Sequence, residues 1–114
     1  MAGTAQGQGS QTCTIGTEHT LLDIAIAGTF QLVTDHVLLA DGDVLELRAY
    51  LMVLTGGTRR VTDLGRFAGP RPLDDLIARS LPYSNELTDA GALRFTMKQT
   101  LGTGRVIPWK VLKF

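Results

Sequence analysis

The chain is poor in the residues on which most small-protein chemistry is built. It has one cysteine in 114 residues, Cys13, which excludes an intrachain disulfide framework and any multi-cysteine metal site. Cys13 stands between Thr12 and Thr14 with no basic neighbour to favour the thiolate, so it does not read as a nucleophile. Histidine is nearly as scarce, and His19 and His36 lack the close spacing of a metal-binding pair. Aromatic residues make up only 6%, and the mild basic cluster of Arg59, Arg60, Arg66 and Arg71 lacks the repeated aromatic interleaving that a base-stacking platform requires. Neither sign of charge dominates: 11 basic and 11 acidic side chains cancel, which removes the electrostatic footprint of a nucleic-acid binder. No apolar run approaches the ~20 residues of a membrane helix. The first residues also lack the basic and apolar regions of a secretion signal. Synthesis in the cytoplasm, with no nucleic-acid or membrane partner, is the expectation.

What is present suits one folded domain. Hydrophobic residues reach 44%, and a chain of this length hides roughly two-thirds of its unfolded surface, so neither metal nor disulfide is needed to hold it. Glycine is frequent, and Gly3, Gly7, Gly9 and Gly16 all fall in a first stretch that has no charge and one branched aliphatic, Ile15. Such a stretch buries too little surface on its own to offset its ordering entropy. It reads as an extended N-terminal arm over residues 1–20, lying on a neighbour and followed by a β domain over 21–114. Deleting Met1 to Gly16 is then expected to leave the domain folded.

Beyond the arm, short alternating runs are separated by turn signals. Leu22, Ile24 and Ile26 alternate with Asp23 and Ala25, and Phe30, Leu32 and Val33 resume after Gly28, which suggests a hairpin. Asp41-Gly42-Asp43 is a turn. Leu45, Leu47, Ala49, Leu51 and Val53 then share one parity against Glu46, Arg48, Tyr50 and Met52, the pattern of a strand with one face on the core. Gly56-Gly57 signals a second hairpin, with Thr58 to Phe67 as the return strand. Gly69-Pro70-Arg71-Pro72 ends that strand. Leu73 to Ser80 reads as a short strand rather than a helical turn, and Pro82 to Asn85 and Asp89 to Gly91 as irregular chain. Leu93, Phe95 and Met97 form another strand, and a hairpin over Gly102-Thr103-Gly104 leads to a last one, Val106 to Phe114. Pro108 there predicts an edge position or a bulge. The sum is an all-β, antiparallel β-sandwich of about seven to eight strands with jelly-roll or Greek-key links.

No catalytic, cofactor or metal residue emerges, and an enzyme is not expected. There is no Gly-x-Ser-x-Gly elbow. Asp41-Gly42-Asp43 with Glu46 lacks the further acids of a calcium loop. Gly102 to Arg105 joins strand to strand without the Lys-Ser/Thr pair of a phosphate loop. Arg59, Arg60, Arg66 and Arg71 read as a solvated or salt-bridged strand face. Trp109 reads as a core or interface anchor, with sugar stacking by Trp109, Tyr50 or Tyr83 as the rival reading of a carbohydrate-binding module. Candidate interface residues are Cys13 and Ile15 in the arm, the outward-parity Tyr50, Met52 and Leu54, and Trp109.

Two stretches carry a likeness. The run Gly42-Asp43-Val44-Leu45-Glu46-Leu47-Arg48, with Leu54-Thr55-Gly56-Gly57-Thr58 after it, is one. The other is Phe95 to Arg105, with Pro108-Trp109-Lys110-Val111-Leu112 following. Together they resemble a group of small structural proteins of tailed bacteriophages, similar in role to capsid decoration, or cement, proteins. The resemblance implies a virion location on the outer face of the head. The implied partners are the major capsid protein and copies of itself, a homotrimer at three-fold positions, with no cofactor. It leaves open a neck, tail or head-fibre module.

Overall fold

Strand β8, Leu93–Leu101, shows the principle that organises the chain: Leu93, Phe95, Met97 and Gln99 are fully buried, whereas Arg94, Lys98 and Thr100 lie on the opposite face. The computed structural model describes residues 4–114 and contains no helix among them. The remaining strands are β1 (Thr4–Thr12), β2 (Glu18–Ile24), β3 (Gly28–Asp35), β4 (Val44–Leu51), β5 (Arg60–Ala68), β6 (Ile77–Arg79), β7 (Tyr83–Asn85) and β9 (Val106–Lys113). One sheet, A, runs β1-β9-β3-β6, with β7 also on β3; the other, B, runs β2-β8-β4-β5. All pairings are antiparallel.

The pairings nest. β4 pairs β5, β3 pairs β6 and β7, β2 pairs β8 and β1 pairs β9, so the chain is one long hairpin whose successive strand pairs alternate between the sheets. That is the strand order of a jelly roll. β6 and β7 act as two halves of one strand, parted at Ser80, whose hydroxyl accepts from the Leu32 N–H at 3.0 Å. The core between the sheets joins Phe30, Leu32, Leu93, Phe95 and Val111 to a second cluster of Cys13, Leu39, Leu45, Met97 and Ile107, with Trp109 packed against both.

Several expectations need correction. Residues 4–12 do not wait for a neighbour. They form β1 along the whole of β9, from Thr4 opposite Lys113 to Thr12 opposite Val106, and Glu18 already belongs to β2, so no boundary falls at residue 20. Gly7 and Gly9 explain how so bland a segment packs. A Cβ at Gly7 would stand 3.1 Å from Leu22 of the facing sheet, and one at Gly9 would lie against the Trp109 ring, so neighbours supply the inner side chains that β1 lacks.

The β2/β3 and β8/β9 connections are not hairpins, because each passes from one sheet to the other. Alternation fixes which face of a strand is buried, and that face is satisfied equally by a neighbour beside it or a strand across the core. The β4/β5 hairpin is present, with a connection over 52–59 that is longer than Gly56-Gly57 alone. Tyr83–Asn85, read as irregular, pairs with β3. Pro108 does not make β9 an edge, since β9 lies between β1 and β3. Its missing N–H is tolerated because the β3 ladder ends one residue away, at Thr34 opposite Trp109.

Candidate interaction surface

The sandwich has two poles. The β1–β2, β3–β4, β5–β6 and β8–β9 connections gather at one, whereas β2–β3, β4–β5, β7–β8 and the chain's C-terminus lie at the other. At the first pole three of the four connections present exposed aliphatic side chains, Ile15, Val37 with Leu38, and Leu73 at 90% exposure, and Leu101 stands exposed at the end of β8; at the other pole Ile26, Val53 and Leu54 are exposed. Scattered single exposures are ordinary, but aliphatics on three loops of one pole and at the strand end beside the fourth form a candidate contact surface.

Two of these loops, β3–β4 and β8–β9, are held from beneath by a buried polar clamp. Asp43, 1% exposed, accepts hydrogen bonds from the Ala40 N–H at 2.8 Å, the Thr103 N–H at 3.0 Å and Arg105 Nε at 2.6 Å, tying the β3–β4 loop to the β8–β9 turn. Burial pushes its pKa up, but these donors outweigh that and hold the carboxyl below its ordinary value. Gly102 makes the approach possible: at φ +93° it adopts a backbone that disfavours side chains, and a Cβ there would fall 2.0 Å from Asp43 Oδ1. Gln99 completes the clamp, donating to the carbonyls of Leu101 and Thr103 and accepting from the Arg105 N–H.

Under the β5–β6 loop sits His36, fully buried, its Nε2 2.8 Å from Thr34 Oγ1 and its ring edge-on to Phe67. Its Nδ1 has no hydrogen-bond partner among the described residues. Burial first, and then the Arg71 charge, push its pKa down to about 4, so the ring is neutral at pH 7.

The outer face of sheet B is polar and internally satisfied. Glu18 accepts from the Tyr50 hydroxyl at 2.5 Å, Thr96 Oγ1 at 2.7 Å and Arg48 at 3.2 Å; Arg48 also reaches Glu46, which Arg66 holds from the other side at 2.7 Å. Arg94 grips Asp23 with two bonds. The arginines expected on a solvated face are thus partly engaged within the chain, with Arg59 donating to the Gly91 carbonyl and Arg71 to Asp75. The outer face of sheet A holds a groove of ≈ 560 Å³, lined by Gln8, Ser10, Val33, Arg79 and Lys110 among others. A crevice of ≈ 210 Å³ opens between the sheets beside Gly65 and Ala78.

The six expected interface residues do not converge. Cys13 belongs to the core, its Sγ 3.6 Å from Met97 Sδ and its thiol pushed up to about 11 by burial. Trp109 faces inward and packs against the core. Tyr50 lies in the sheet B network, Met52 just beyond β4 is half-buried, and Leu54 is exposed in the β4–β5 loop at the opposite pole from Ile15. Tyr83 packs against Phe95 and bonds Asp63, so of the proposed sugar-stacking aromatics Trp109 and Tyr83 are engaged inside and Tyr50 is tied by its hydroxyl. Of the expected set only Ile15 falls on the loop pole. Val37, Leu38 and Leu73 were missed because isolated aliphatics in loops have no periodicity to mark them. Among the described residues no group of three or more His, Cys, Asp or Glu side chains could hold a metal. No protein-family profile, curated protein or solved structure matches the chain.

Proposed function

We propose that the protein is a non-enzymatic virion component, a capsid decoration protein whose loop pole binds the outer face of a phage head at junctions of the major capsid protein. The observation that carries this reading is the set of exposed aliphatics at one pole, on three of its four loops and at the end of β8, beside the Asp43–Arg105–Gln99 clamp. Loops fixed before binding lose little entropy on docking, and apolar tips supply the driving force. Repetition over a lattice then multiplies a modest single-site affinity. The sequence resemblance supports the phage context, and the fold class is one that viral capsid domains share with lectins, so fold alone carries no weight between those two.

Co-sedimentation with expanded, empty phage heads tests the reading. Saturable binding at hundreds of copies per head is expected, together with a loss of at least tenfold in affinity for Leu38→Asp/Leu73→Asp at unchanged melting temperature. Absence of binding by the folded parent protein overturns the head assignment. Saturation at about a dozen copies or fewer moves it to a neck, tail or fibre position.

A further inference from the structure

Sheet edges are where a sandwich is chemically unfinished, because alternate N–H and C=O groups of an edge strand point away from the sheet without a partner. Most edges of this molecule are guarded. β2 carries Glu18 and Asp23 and is irregular between Thr20 and Leu22. β5 carries Arg60, Asp63 and Arg66 and meets an irregularity between Ala49 and Tyr50. β6 and β7 are three residues each and are separated by Pro82. β1 is the least guarded. It is nine residues long, about 30 Å, exposed or half-exposed throughout and free of charge and proline, with one irregularity between Ala5 and Gly7 and a regular ladder from Gly7 to Thr12.

Its sequence is in part self-mirroring: about Gln8, Gly7 matches Gly9 and Thr4 matches Thr12, whereas Gln6 falls opposite Ser10 and Ala5 opposite Gln11. Two such strands laid antiparallel with Gln8 on the axis place Gly7 opposite Gly9 and put small or uncharged polar side chains together at every other pair. No like charges meet. We propose that the open edge of β1 pairs antiparallel with β1 of a second copy of this chain, about a two-fold axis at Gln8, so that sheet A runs unbroken from β6 of one copy to β6 of the other. The zero net charge leaves no overall repulsion to oppose it. A two-fold contact of this kind uses the same patch on both copies and closes on itself. The outer groove of sheet A, bordered by Gln8, Ser10 and Lys110, then reaches the axis from both sides.

The test needs the full chain alone, without heads, so its failure and that of the capsid reading are separate results. Sedimentation equilibrium from micromolar to millimolar concentration is expected to give a monomer–dimer equilibrium. Gln8→Cys is expected to form a covalent dimer under mild oxidation, because directly opposed residues of antiparallel strands lie within disulfide reach. Ser10→Cys is not, because its mirror position is Gln6. Cys13, buried with a raised pKa, stays out of the reaction. Gln8→Glu sets two carboxylates face to face across the axis while facing Lys110 in its own chain, so folding is retained and the dimer dissociation constant rises about five- to tenfold. Mixing it with Gln8→Lys restores association. A monomer over the whole range, a trimer in solution, or a Gln8→Cys variant that cross-links no better than Ser10→Cys overturns the proposal.

Discussion

His36 and Asp43 are the two buried groups whose ionisation the fold sets most clearly, and they respond to acid in different windows. His36 is neutral in the folded protein down to about pH 4, whereas in the unfolded chain it takes up a proton near its ordinary value of 6.5. Between those values the unfolded state binds more protons, so stability falls as pH drops, by up to about 1.4 kcal/mol per pH unit. Arg71 opposes protonation of the ring while Asp35 and Asp75 favour it, and burial outweighs them all. His36→Gln is expected to flatten urea-unfolding free energies between pH 6.5 and 4; an equally steep loss in that variant would place the titration elsewhere. Asp43 has the opposite charge logic. Its lowered pKa gives stability that is complete above the ordinary carboxylate range and is lost only as pH falls below it, through the folded value. Asp43→Ala strands the Arg105 charge and the Ala40 and Thr103 N–H groups, a cost of about 3 kcal/mol. Asp43→Asn, which keeps an acceptor, is expected to cost less. Thermal melts at pH 7 rank the pair, and equal losses would show that the carboxylate charge is irrelevant.

At the scale of elements, β1 is where the chain's behaviour departs furthest from its composition. Removing residues 1–16 takes away a strand, uncovers the β9 edge and Trp109, and pulls Cys13 out of the core. The truncated chain is therefore expected to lose several kcal/mol or fail to fold, and a truncation that melts like the parent would restore the picture of a dispensable arm. Within β1 the glycines are not equivalent. Gly9→Ala meets only ordinary contact with the Trp109 ring and is expected to stabilise by about 0.5 kcal/mol, because it restricts the unfolded chain. Gly7→Val crowds Leu22 and is expected to destabilise by about 1–3 kcal/mol. Chemical denaturation separates them by sign. β1 also marks the limit of what the sequence makes legible. Strands β4 and β8 announce themselves, because their inward positions hold Leu45, Ala49, Leu93, Phe95 and Met97. In β1 the inward positions are Gly7, Gly9 and Gln11, and neighbouring strands supply the apolar side chains there, so no hydrophobic period exists to read. The same logic hid the sheet membership of β2 and β9, whose alternation is clear but whose partners are distant. The loop pole was legible only at Ile15, because its other aliphatics lie outside any strand pattern.

For the whole molecule, the nesting means that only β4 and β5 pair as neighbours in sequence, while β1 waits for β9. Contacts this distant must close large loops before they are rewarded. Refolding from denaturant, followed by Trp109 fluorescence, is expected on the millisecond-to-second scale typical of all-β sandwiches, and a sub-millisecond rate would contradict the nested order. The same nesting has a practical side. Thr4 lies opposite Lys113, and Phe114 donates its N–H to the Thr29 carbonyl at 2.9 Å, so Thr4 and Phe114 stand side by side at the pole away from Ile15, Leu38 and Leu73. A passenger fused to either tail projects from the far side of the molecule, and a short tether joining the tails permits new termini to be cut elsewhere, which makes the protein a two-handled display platform with its apolar loops left free.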